Sequence, residues 1–329
     1  MPLSTISPYM LSNVTASGGT AAANAYIVYN STTGRVEWSA EATVAPSGPV
    51  SGYTSAGFIT NNIDKFPFSS DGNATDVGDL SQSRYGPIGQ SSSPSGYTSG
   101  GSSGPATVNT IDKFPFSTNS NATDVGDLTQ GRYRAAGQNS SASGYTSGGV
   151  PGPTNTIDKF PFSSDSNASD VGDLSQSRYD PVGQSSSSSG YSSGGNSAPF
   201  HVNTIDKFPF ASDGNASDVG DLTIARTQPA GQSSSINGYT SGGFVPPSVN
   251  TIDKFPFAAD GNATDVGDLT QARRSVAGQS STTSGYTSGG DIDPPQVNTI
   301  DKFPFSTNSN ASDVGDLTQA RYFSAGQQV

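Results

Sequence analysis

An all-β fold of six repeated four-stranded sheets is what this 329-residue sequence predicts, and three observations predict it. The first is repetition. Ile-Asp-Lys-Phe-Pro-Phe begins at Ile63, Ile111, Ile157, Ile205, Ile252 and Ile300, at spacings of 48, 46, 48, 47 and 48 residues. The second is local pattern. Each unit divides into short pieces that carry Tyr, Phe, Ile or Val and are bounded by Gly, Asn, Asp or Pro. These are strand signals with turn punctuation, and no stretch has the 3.6-residue apolar period of a helix. The third is size, since four short strands in about 47 residues make one blade of a propeller. A chain with 31% hydrophobic residues and 40 glycines would by composition be read as disordered. The repeat overrides that reading.

In chain order, residues 1–44 stand apart. They hold the only Trp and both Glu residues and are too short for an independent core. Ala25 to Trp38 read as a β-hairpin with a Ser-Thr-Thr-Gly turn. Such a segment docks onto something larger, and Tyr26, Val28, Tyr29 and Trp38 are its candidate anchor residues. Residues 45–49, Ala-Pro-Ser-Gly-Pro, read as a linker, and residues 50–329 as the six blades.

Within a unit, Gly89-Gln90-Ser91-Ser92-Ser93 and its copies are assigned to the strand nearest the axis, where crowding favours small side chains. Gly-Tyr-Thr-Ser-Gly-Gly supplies the second strand and Thr-Ile-Asp-Lys-Phe-Pro the third. The two Phe of each unit, Phe66 and Phe68 in the first, are period-2 neighbours that fill the space between blades. The fourth strand contains Val-Gly-Asp-Leu. The first unit starts at Ser51 without a Gly-Gln-Ser strand, and the sequence stops at Gly326-Gln327-Gln328-Val329, which is that strand. The C-terminal strand is therefore expected to complete the first blade, closing the ring and removing sheet edges.

The unit resembles a kelch repeat over about residues 50–329. Tyr97-Thr98-Ser99-Gly100-Gly101, Asp112-Lys113-Phe114-Pro115, Leu128 with Arg132, and Gly137-Gln138 follow the order of that family's pattern, although its Trp between the third and fourth strands is absent. The near-identity of the units, their Ser/Thr/Gly richness and the N-terminal hairpin also resemble fibre and decoration proteins of tailed bacteriophages. These resemblances imply a six-bladed propeller, a virion-surface location, and partners among other virion proteins or host-surface glycans and proteins.

Composition excludes several chemistries. The absence of Cys removes disulfides and Cys-based metal sites, and no apolar run approaches a membrane helix. A net charge of −12 disfavours nucleic acid. His201 is the only His, so a His-based catalytic set is not expected. Asp71-x-Asn73-x-Thr75-Asp76-x-Gly78-Asp79 and its copies alternate oxygen ligands around a Gly turn, a pattern that calcium loops share. Two copies begin with Asn, at Asn119 and Asn308, and no Glu closes the loop, so it is read as a turn capped by its own Asn and Asp side chains. No metal or cofactor is expected. Asp64 and Lys65 with Arg84, and their copies, are expected to form one ion-pair network per blade.

The units differ in two places: between the Gly-Gly doublet and Thr-Ile-Asp, and between the Arg and Gly-Gln. Because strands alternate in direction, both connections emerge on one face of the disc. The diversified loops carry Tyr85, Tyr133, Arg134, Tyr179, Phe200, His201, Phe244, Arg274, Tyr322 and Phe323, residue types suited to anchoring glycans or protein surfaces. The acidic uniform face is the alternative docking surface. The function expected first is a non-enzymatic structural or adhesion protein of a phage virion, docked through residues 1–44, with homo-oligomerisation left open. A kelch-type protein–protein adaptor is the second reading, and a propeller hydrolase or lyase the third.

Overall fold

The computed structural model describes residues 50–58 and 60–329, together with the backbone strands Tyr26–Asn30 and Arg35–Ser39. Those two strands pair antiparallel with Asn30 opposite Arg35, which matches the expected hairpin. Of its anchor candidates only this pairing is described: Tyr26 faces Ser39, Val28 faces Glu37, Tyr29 faces Val36 and Trp38 faces Ile27. The linker at residues 45–49 lies outside the described residues. Hairpin and propeller are separate units.

From Ser51 onward the described residues form six four-stranded antiparallel sheets and no helix. The second blade is typical, running outward from Ile88–Ser91 through Ser95–Ser99 and Thr110–Pro115 to Thr123–Asp127. The first blade takes its inner strand from the other end of the chain. Ala325–Gln328 pairs with Ser51–Ser55 in the register Gly52 to Gln328, Tyr53 to Gln327 and Thr54 to Gly326. The expected closure is therefore present, and the toroid has no inner edge.

Sequence explains each layer. Around the axis, a Cβ added to Gly89 would lie 2.2 Å from the Gly326 carbonyl oxygen, and one added to Gly326 would lie 2.1 Å from that of Gly278. Inner strands approach so closely that only glycine fits. Their serines tie blade to blade. The Ser185 amide donates to Ser233 Oγ (3.0 Å) and the Ser233 amide to Ser280 Oγ (2.9 Å). Farther out, Phe114 crosses over Gly96 on the neighbouring strand, and every blade repeats this pairing of an aromatic ring on a glycine.

Hydrophobic burial is concentrated in the seams. Tyr97, Ile111 and Leu128 of the second blade meet Phe160 and Phe162 of the third, with Tyr97 and Phe162 stacked at 4.8 Å. The last seam, between the sixth and first blades, contains the same set: Tyr286, Ile300 and Leu317 against Phe66 and Phe68. The Phe-Pro-Phe segments thus fill the inter-blade space as expected, each buried Phe contributing roughly 1.5–3 kcal/mol.

Polar stitching accompanies this packing. Gln184 Nε2 is buried and donates to the Tyr239 carbonyl (3.0 Å) and Thr240 Oγ1 (2.9 Å) of the next blade. The ion pairs correct the sequence expectation. Arg84 does not join Asp64 of its own unit. It reaches forward to Asp112 of the next at 2.6 Å, while Asp64 receives Arg321. All six Arg–Asp pairs are buried and run from one unit to the next. Ser81 donates its amide and hydroxyl to the same Asp112, which fixes the connection between blades. The lysines also cross: Lys113 pairs with Asp165 and Lys302 with Asp71, both at 2.9 Å.

The Asp/Asn loop is half as expected. Asp76 Oδ1 accepts from the Gly78 amide in a local turn (3.1 Å). Asn73, however, accepts from the Asp316 amide of the preceding blade (3.0 Å), so the motif is an inter-blade clamp as much as a turn.

Candidate functional site

The diversified loops meet on one face because of topology. Five fourth-to-first connections form an antiparallel bridge with the second-to-third connection of the following blade, Tyr85 with Ser102, Tyr133 with Val150, Tyr179 with Asn196, Thr227 with Phe244 and Arg274 with Asp291, and at the sixth the Phe58 amide donates to Tyr322 O (3.1 Å). The Tyr85 and Ser102 amides each donate to the other's carbonyl at 2.9 Å. A rigid hydrogen-bonded base thus carries side chains that differ from blade to blade. The chain enters the propeller at Val50 on the opposite, uniform face, where the Val329 amide donates to Ser51 O (3.0 Å).

One residue inward from these bridges lies a second ring. Gly86, Arg134, Asp180, Gln228, Ser275 and Phe323 occupy equivalent positions, all with positive φ, from 53° at Phe323 to 62° at Gly86. Each amide donates to the carbonyl of the preceding unit's counterpart, from Arg134 to Gly86 (2.8 Å) round to Gly86 to Phe323 (3.1 Å). This closed circle of six hydrogen bonds surrounds the axial mouth. Five non-glycine residues are held left-handed, at about 1–2 kcal/mol each. Their side chains then form a polar arc. Arg134 is paired with the buried carboxylate of Asp180, which also accepts from Thr227 Oγ1 (3.1 Å) and Gln228 Nε2 (3.2 Å). Ser275 Oγ donates to Gln228 Oε1 at 2.9 Å. Burial alone would lower the Arg134 guanidinium, but its hydrogen bond to Asp180 holds it above its ordinary value. The dimple left at the mouth measures only ≈ 120 Å³.

The sequence-predicted residues sort into two groups. Tyr85, Tyr133 and Tyr322 come together, with ring centroids 5.8 Å apart for Tyr85–Tyr133 and 6.5 Å for Tyr85–Tyr322. Phe58 joins them at 5.2 Å from Tyr322 and 6.4 Å from Tyr85, and Phe323 packs on Tyr85 at 4.6 Å. Arg134 links this group to Tyr179, its guanidinium 4.9 Å from that ring. Burial pushes the Tyr85 phenol up to about 12. Beside these rings opens a groove of ≈ 610 Å³, lined by Phe58, Tyr85, Tyr133, Tyr322 and the serines Ser83, Ser102 and Ser103.

The other group lies over later blades. Arg274 sits 4.4 Å above the Phe244 ring and pairs with Asp291 and Asp293. His201 lies 6.0 Å from Phe244, and Phe200, on a two-residue ribbon paired with Asn196–Ser197, is 72% exposed. Among the described residues no three His, Asp or Glu side chains converge as a metal site.

Phe58, Asp180, Gln228 and Ser275 were missed by sequence reasoning. Phe58 stands in the first unit's second-to-third connection, where Ser-Ala-Gly-Phe replaces the usual Ser-Gly-Gly, and that departure was its signal. Asp180 had none beyond being the lone acidic residue at its position among six copies. The chain matches no protein-family model, and no curated protein is significantly similar to it.

Proposed function

We propose that this protein is a non-enzymatic recognition propeller of a phage particle, held to the particle through residues 1–44 and presenting the diversified face to a host-surface glycan or protein. One observation carries the reading: seam residues repeat from blade to blade, whereas aromatic and charged residues change from loop to loop on a single face. Variable side chains on a rigid hydrogen-bonded base are the arrangement that binding surfaces use. The chain's entry at Val50, on the other face, supports a division into an anchoring side and a recognising side. The phage assignment rests on the style of the repeat and the N-terminal hairpin, and the kelch resemblance leaves a protein–protein adaptor as the second reading.

Deleting residues 1–44 tests the anchor. The expected outcome is a folded propeller that retains surface binding and no longer joins particles. If the shortened protein assembles fully, the anchor assignment is wrong. If the full-length protein joins no particle and captures a soluble protein through its loops, the adaptor reading replaces this one. Turnover of glycosidic substrates at any blade would refute the non-enzymatic assignment.

A further inference from the structure

We infer that the off-axis groove between Phe58, Tyr85, Tyr133 and Tyr322 is a saccharide site, and that it takes a neutral pyranose unit. The inference rests on the recognition reading above and gives it a place and a ligand class. Position comes first. The axis, where a ring of loops would most simply hold a ligand, is closed on this face by the six-membered backbone circle and by the Arg134–Asp180–Gln228–Ser275 arc. A dimple of ≈ 120 Å³ remains there, and one of ≈ 130 Å³ at the inner-strand serines on the other side. Ligand sites usually run from about 300 to 1,000 Å³. The groove, at ≈ 610 Å³, falls within that range.

Chemistry then selects the occupant. Tyr322, Phe58, Tyr85 and Tyr133 follow one another at centroid separations of 5.2, 6.4 and 5.8 Å, so a ring entering the groove meets aromatic faces and edges on several sides. The C–H face of a pyranose packs on such rings, which offer large rigid area and, in Tyr, a polar rim. Hydroxyl partners are provided by the tyrosines and by Ser83 and Ser103. Charge is excluded. Arg84 lines the groove with its charge paired to Asp112 and its terminal nitrogens donating to the Thr98 and Thr110 carbonyls, its Nε being buried. The nearest loop charges, Arg134 and Asp180, satisfy each other at the axis. An anionic sugar or peptide would find no unpaired cation among the described lining residues. The second cluster differs here, because Arg274 and its two carboxylates make it charged.

The test is titration of the full chain with neutral oligosaccharides built from glucose, galactose, mannose and N-acetylhexosamines, beside sialylated and uronate-bearing counterparts, read by saturation-transfer NMR. Binding of at least one neutral probe is expected. It should weaken about tenfold in Tyr85→Ala and in Tyr322→Ala, survive Tyr85→Phe, and be unchanged in Thr118→Ala, at an exposed position in a third-to-fourth loop on the uniform face. Should the alanine variants fail to fold, Ser103→Trp at an exposed position fills the groove from its rim and should abolish binding alone. The inference is overturned by preference for acidic probes, by an aromatic peptide displacing the sugars, or by sugar binding indifferent to Ser103→Trp. Loss of host-surface binding on loop exchange, with no neutral sugar bound, would overturn this inference and leave the recognition reading standing.

Discussion

Seams and loops belong to the same repeated unit, yet opposite rules govern them. In the seam between the second and third blades, Tyr97 stacks on Phe162, Arg132 pairs with Asp158 and Gln90 reaches Tyr145 O; the seam that closes the ring repeats this with Phe68 on Tyr286, Arg321 with Asp64 and Gln279 on Tyr53 O. Directly above, equivalent loop positions hold Tyr85, Thr227 and Arg274, or Gly86, Asp180 and Phe323. The physical reason is where each side chain points. A seam residue must fit two blades at once, so any change creates a cavity or a buried unpaired charge. A loop residue projects from a base whose hydrogen bonds are made by the backbone, so its side chain is free to change.

The contrast is most sharply tested at the ring closure. Gly326→Val places atoms where a Cβ alone would lie 2.1 Å from the Gly278 carbonyl oxygen. We expect loss of more than about 4–5 kcal/mol in denaturant unfolding, the range reserved for steric or charge disruption of a core. A loss below that range would mean that the C-terminal strand is dispensable. Next is Asp158→Ala, which leaves the Arg132 guanidinium buried without its carboxylate and removes the acceptor for the Thr129 amide. About 3–5 kcal/mol should be lost; a change under about 1 kcal/mol would show that the pair is not a seam determinant.

The alkaline limit is a smaller, graded effect. Burial raises the Tyr53 and Tyr85 phenols to about 12, above the ordinary value near 10. Lys113 and Lys302 are raised by their hydrogen bonds to Asp165 and Asp71. A raised folded pKa gives stability that is complete below the unfolded value and lost as pH climbs through the folded one. The melting temperature should therefore decline as pH rises from about 10 toward 12 through these groups. Insensitivity across that window would show that these groups do not feel the fold. Smallest is the effect on the face. Arg274→Ala should shift stability by less than about 1 kcal/mol, since its carboxylate partners are partly exposed. A larger loss would make that loop part of the scaffold.

Much of this was legible in the sequence. Repeat spacing gave six blades, the missing inner strand of the first unit predicted closure by Ala325–Gln328, and strand alternation placed both diversified loops on one face. Partner choice among copies was not legible. Every unit contains both Arg and Asp, so a pair within one unit (Arg84 with Asp64) and a pair between units (Arg84 with Asp112) look alike until blade packing brings Asp112 to 2.6 Å. The same ambiguity hid the reach of Asn73 to Asp316. At the candidate site, Tyr85, Tyr133 and Tyr322 could be named as aromatic loop residues. Their convergence with Phe58, and the diversion of Arg134 to Asp180, depend on which loops the ring makes adjacent.

Amide hydrogen exchange, followed peptide by peptide, tests most directly whether one set of seams closes the molecule and leaves the face free to vary. Strand Ala325–Gln328 and its partner Ser51–Ser55 are predicted to exchange only through global opening, at the rate of Ile88–Ser91 and Ser95–Ser99 in the second blade. Exchange of Ala325–Gln328 well ahead of the internal inner strands would contradict the account, because the sixth seam would then be a frayed end and the six blades not one closed scaffold.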